Sequence, residues 1–183
     1  GGKDAGKPFR SLPMWTIEPT QTVLEVCVVA NYCEVWLAKH YDDGSPVDGI
    51  VGINLLTKVP FPTIASLYGA MLAGVDYVLM GAGIPLTVPG VLDNLSEGKE
   101  STFPVDVAGS DERHFIHFSP SAFWEAAGKP AMANTLRLSR PAFVPIVSSV
   151  VLAQSMLKRA DGKGPTKGID GFVVELPTAG GHN

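Results

Sequence analysis

Near-continuous apolar runs alternate with stretches of helical spacing along this chain, and that alternation limits its fold more than any other feature. The runs are "GIVGINLL" (49–56), "DYVLMGAGIP" (76–85), "RPAFVPIVSS" (140–149) and "IDGFVVEL" (169–176). Runs of Val, Ile and Leu with few polar interruptions mark strands covered on both faces, as in parallel sheets. Between them, "PTIASLYGAMLAGV" carries Ile64, Leu67, Tyr68, Met71 and Leu72 at helical spacing, and Gly74 stands where a helix-ending glycine belongs. "PGVLDNLSEG" reads as a short helix ending at Gly98, and "VVLAQSMLKRA" as another. The predicted class is therefore α/β, parallel strands alternating with helices. "GINLL", "LMGAGIP" and "PIVSS" each lead toward a helix. Ligands bind at such strand ends in (β/α)₈ barrels and in doubly wound sheets alike, and the pattern leaves both folds open.

Residues 1–22 are rich in Gly, Pro, Lys and Thr and read as an extended arm. Residues 23–183 read as one α/β domain. Its first segment, Val23 to Ala30, is β-branched and apolar and predicts a buried strand, with Asn31 capping a helix through "YCEVWLAKHY". A β-hairpin insertion is predicted at about 101–119, where "FPVDV" and "HFIHF" flank a polar turn. "PSAFWEAAG" then gives a helical turn. About five βα-like units are legible, against the eight strands and ~250 residues of a closed barrel.

The 183 residues carry a net charge of −4, so no broad basic field favours nucleic acid or an anionic membrane. No run of about 18 apolar residues predicts a membrane-spanning helix. Two cysteines, Cys27 and Cys33, do not make a disulfide framework, which fits a reducing cytoplasm and inert thiols. No metal site is predicted, since His40 alone is too little beside that pair.

Several residues have the chemistry of a site. His182 follows Ala179, Gly180 and Gly181 just past an apolar strand. The glycines allow close backbone approach to a flat ligand, and an imidazole with a pKa near ~6.5 exchanges a proton at neutral pH. The competing reading is a frayed, solvent-exposed residue. Glu175 lies among Val173, Val174 and Leu176, where a charge needs a ligand or a lysine partner. Asn54 is the one polar side chain in its strand, read as a buried amide that serves either a heterocycle edge or a neighbouring loop. "MGAGIP" lacks the spacing of a phosphate-binding loop and reads first as a tight turn. Ser148 and Ser149 sit outside any G-x-S-x-G elbow, so a helix cap is the simpler role. His114 and His117 fall on opposite faces of one strand, which argues against a shared metal.

Taken together, "GINLL", "LYGAMLAGVDYVLMGAGIP", "PIVSSVVLA" and "GFVVELPTAGGHN" resemble the nitronate monooxygenase family, formerly the 2-nitropropane dioxygenases, in its bacterial branch. The resemblance runs from about Val23 to the last residue, and E-x-x-x-A-G-G-H is its most specific part. It implies a partial TIM barrel that binds FMN at the C-terminal strand ends and oxidises alkyl nitronates with O₂. It implies His182 as the catalytic base or substrate-orienting group, with Asn54, Glu175, Gly180 and Gly181 beside the flavin. It also implies that the chain is an internal piece of a longer barrel, short of its first strand and of the two that grip the FMN phosphate, so that weak binding of FMN or none is expected of this piece alone. The strand "FVPIVSS" has no lysine where some relatives carry one. FMN-dependent enoyl-ACP reductase is an alternative with the same barrel. An inactive structural piece that oligomerises through open sheet edges is another, and a homo-oligomer is expected in any case.

Overall fold

A computed structural model describes residues 6, 11, 13–160, 168–176, 178 and 179. Residues 13–20 form no regular element, and Thr20 then opens helix α1 (Gln21–Ala38), its hydroxyl accepting from the Val23 N–H at 3.4 Å. The strand expected over Val23 to Ala30 is thus the first half of an 18-residue helix, and Asn31 lies in its middle rather than at its cap. β-Branched residues lower helix propensity by only tenths of a kcal/mol each, so packing decides. Here Val23, Val28 and Val35 are buried, and the Asn31 amide donates to the Cys27 carbonyl at 2.9 Å and to Ser66 Oγ at 3.1 Å.

The remaining elements follow in order: β1 (Gly52–Leu56), α2 (Thr63–Leu72), β2 (Tyr77–Gly81), α3 (Val88–Ser96), β3 (Ser101–Val105), β4 (His114–Phe118), α4 (Pro120–Ala126), α5 (Pro130–Thr135), β5 (Ala142–Val147), α6 (Val150–Ala160) and β6 (Val173–Val174). Strands β1-β2-β5-β6 form a parallel sheet in chain order, with no reversal among the described strands. The fold is α/β, as the alternation predicts. Strands β3 and β4 form the separate antiparallel hairpin. Gly74 and Gly98 end their helices at φ +73° and +70°.

Register pairs Asn54 with Leu79, Leu79 with Val144, and Ile146 with Val173. Side chains alternate, so Val78, Met80, Phe143 and Val147 face the helices and are buried. Asn54, Leu79, Val144, Ile146 and Val173 share the opposite face, which stays half open. On the helix side of β6, Val174 and Leu176 remain 65% and 61% exposed.

Helix α2 is buried from Thr63 to Met71, which its apolar residues on every side demand. Leu67 and Met71 join Val78, Met80 and Phe143 in one core. Tyr68 packs on Phe118 and Phe123 at ring distances of 5.0 and 6.0 Å, and its hydroxyl accepts from Trp124 Nε1 at 2.7 Å. On the α1 side, a Cβ at Gly69 would lie 2.3 Å from the Val28 carbonyl oxygen. Only a missing side chain permits that approach.

The N-terminal edge of the sheet is held twice by the same device. Asp76, in "GVD", accepts from the Val51 N–H at 2.8 Å and pairs with Lys39 at 2.9 Å. Asp170, in "GID", accepts from the Phe143 N–H at 2.7 Å and pairs with Arg140 at 3.1 Å. Arg140 also donates to Asp93 at 2.5 Å and to the Gly168 carbonyl at 2.6 Å, tying α3 to the starts of β5 and β6.

Two stability predictions follow from these contacts. Gly69→Ala gains helix propensity yet destabilises the fold by about 2–3 kcal/mol, because the new methyl meets backbone. Urea titration should show a lower midpoint at unchanged slope. The Asp76 carboxyl is held below its ordinary pKa, first by the Val51 N–H and then by Lys39. A depressed carboxylate contributes stability above its unfolded pKa of about 4 and loses it as pH falls through the depressed value. Asp76→Asn should therefore cost about 1 kcal/mol at pH 7, with the gap to the parent closing as acid titrates the carboxylate. Unfolding curves at neutral and acid pH test this.

Candidate functional site

The C-terminal ends of the parallel strands bring four loops to one side of the sheet: Thr57-Lys58, Ala82-Gly83-Ile84, Ser148-Ser149 and Glu175-Leu176. The first two meet the β3–β4 hairpin around a cavity of about 750 Å³. Phe61, Leu86 and Phe103 contribute apolar wall, and Lys58, Thr87 and Asp106 polar wall.

The turn after β2 has to pass close to the end of β1. It does so with Ala82 at φ 53° and Gly83 at φ 146°. A Cβ at Gly83 would stand 2.9 Å from the Thr57 Cβ, so the glycine is needed for space as well as for conformation. A non-glycine residue in the left-handed region costs of order 1–3 kcal/mol, and such strain clusters at functional sites. Beneath the turn, Thr57 Oγ1 is buried and has no hydrogen-bond partner among the described residues. A buried hydroxyl left unpaired costs about 1–3 kcal/mol.

Asn54 and Glu175 lie on the same open face of the sheet, at its two edge strands. Neither matches the environment expected from sequence. Asn54 is exposed, because β1 is an edge strand whose open face has no covering layer among the described residues. Its amide makes no hydrogen bond there. Glu175 is also exposed and pairs with no lysine among the described residues; its backbone N–H continues the ladder to Val147 at 2.9 Å. Three strand spacings, about 14 Å, separate the two strands if the sheet is flat. His182, Gly180 and Gly181 lie outside the described residues.

Other residues take structural parts. Ser149 Oγ accepts from the Leu152 N–H at 3.2 Å and caps α6, as expected. His117 pairs with Glu100 at 3.1 Å, and His114 Nε2 meets Ser110 Oγ at 3.0 Å, on opposite faces of β4. The Cys27 thiol sits 3.3 Å from Ser66 Oγ; burial pushes its pKa up despite that bond, which disfavours the nucleophilic thiolate. Among the described residues no cluster of His, Cys, Asp or Glu could hold a metal, and no helix is long and apolar enough to cross a membrane.

Thr57, Lys58 and the hairpin wall do not stand out in the sequence. Their position immediately after "GINLL" was the available signal, but the fold alone brings the hairpin opposite them. No family model, no curated protein and no solved structure matches the chain.

The orphaned hydroxyl gives a direct test. Thr57→Val keeps the shape and removes the unpaired group, so it should stabilise the unliganded protein by about 1 kcal/mol. Chemical denaturation measures the difference.

Proposed function

We propose that this chain belongs to an FMN-dependent oxidoreductase that oxidises alkyl nitronates with O₂. The observation that carries the reading is the unspent amide of Asn54 on the open face of a parallel sheet, with Glu175 on the same face. The four sequence stretches that resemble nitronate monooxygenases support it, as does the chain-order sheet, which suits part of a TIM barrel.

The residues present fit one wall of a planar heterocycle. Leu79, Val144 and Ile146 offer a half-open apolar surface, and Asn54 offers a donor and an acceptor that no group among the described residues uses. FMN, when bound, would supply the electron transfer between the substrate and O₂. Asn54 would hold a ring edge. Glu175 would accept hydrogen bonds from a ligand N–H or hydroxyl, which offsets the cost of covering its charge. His182, on the resemblance, would orient the nitronate or take a proton from the substrate carbon. For Asn54 and Glu175 to reach one ligand the sheet has to curl, and curling of this kind is what barrel closure supplies.

Flavin fluorescence and oxygen uptake test the reading together. Adding the chain should quench FMN fluorescence, and Asn54→Ala should weaken that binding about tenfold. Oxygen should be consumed on adding an alkyl nitronate and not on adding NADH. Quenching that Asn54→Ala leaves unchanged, or no oxygen uptake with a nitronate once FMN is bound, would sink the proposal. Reduction of the flavin by NADH would point instead to an enoyl reductase.

A further inference from the structure

We infer that the cavity between the β1 and β2 loops and the β3–β4 hairpin is a binding site for an amphiphilic monoanion, a carboxylate-type head group on a hydrocarbon tail. It uses neither Asn54 nor Glu175, so it stands apart from the flavin reading.

The volume, about 750 Å³, falls in the ~300–1,000 Å³ range of small-molecule sites. Much of the wall is hydrocarbon: Phe61 and Leu86 are half-buried there, Phe103 is buried, and Ile84 is 56% exposed at the rim. An exposed isoleucine beside a cavity is apolar surface that a ligand tail would remove from water, at about 25 cal/mol per Å².

The charge of the head group follows from what the wall leaves unpaired. Lys58 lines the cavity and makes no ion pair among the described residues. The backbone N–H groups of Ala82, Gly83 and Ile84 donate to no described residue. The Thr57 hydroxyl beneath them is buried and unpartnered. Lys58 and the N–H groups offer only positive charge and donors, the Thr57 hydroxyl can donate as well as accept, and a carboxylate accepts from each kind. The one acid on the wall, Asp106, also makes no ion pair among the described residues; it stands at the boundary with the hairpin-loop depression that Arg113 lines too. A cationic ligand would leave Lys58 facing a like charge and the free N–H groups unserved.

Calorimetric titration of the chain with octanoate tests the inference without flavin. Saturable one-to-one binding is expected. Acetate, which lacks the tail, and octylammonium, which reverses the charge, should each bind at least tenfold more weakly. Lys58→Met should weaken octanoate about tenfold, Thr57→Val severalfold, and Asp106→Asn should tighten it. Lys58 is exposed and unpaired among the described residues, so its variant should keep the parent circular dichroism spectrum. The inference fails if octanoate does not saturate, if octylammonium binds equally well, or if a folded Lys58→Met variant binds octanoate unchanged.

Discussion

The fold depends on one close approach, the passage of α1 over α2 at Gly69. A helix buried on all sides has to satisfy every neighbour at once. The sheet takes Leu67 and Met71. The hairpin and α4 take Tyr68, whose ring meets two phenylalanines and whose hydroxyl is bonded by Trp124. The third side has no depth left for a side chain, so α1 lies backbone to backbone against it. That contact also sets the register in which Asn31 and Cys27 meet Ser66. Burial pushes the Tyr68 phenol above its ordinary pKa, and the hydrogen bond from Trp124 offsets part of that rise.

The same packing explains how the sequence reads and misreads. Strands β1, β2 and β5 and helices α2, α3 and α6 were legible because their apolar runs carry their own period. So was the hairpin, because "FPVDV" and "HFIHF" alternate around a polar turn. The segment from Val23 to Ala30 misleads because its valines suit a strand locally, while the surface that receives them belongs to α2, some forty residues on. The paired "GVD" and "GID" clamps are too short to signal without coordinates, and Arg140 joins partners that lie far apart in the chain.

Asn54 and Glu175 are misread for a related reason. A polar residue in an apolar run reads as buried only if its strand is covered on both faces. Here Asn54 lies on edge strand β1 and Glu175 just past edge strand β6, and the face they share is half open among the described residues. Their positions in the sheet follow from the sequence pattern; their exposure depends on what covers the sheet, which no local pattern encodes.

The two ends of the sheet differ in how their polar groups are spent. At the N-terminal end, each aspartate serves both a strand N–H and a basic side chain, and Arg140 distributes its donors over four acceptors. Groups satisfied so completely have little left for a ligand, and such a network serves stability. At the C-terminal end the accounting is reversed. Ala82 is strained, Thr57 is unpaired and Lys58 is free of ion pairs among the described residues. A protein of marginal stability keeps unfavourable terms only where something repays them. In a parallel sheet these are the ends where loops face ligands, so the cost falls where binding energy is available to offset it.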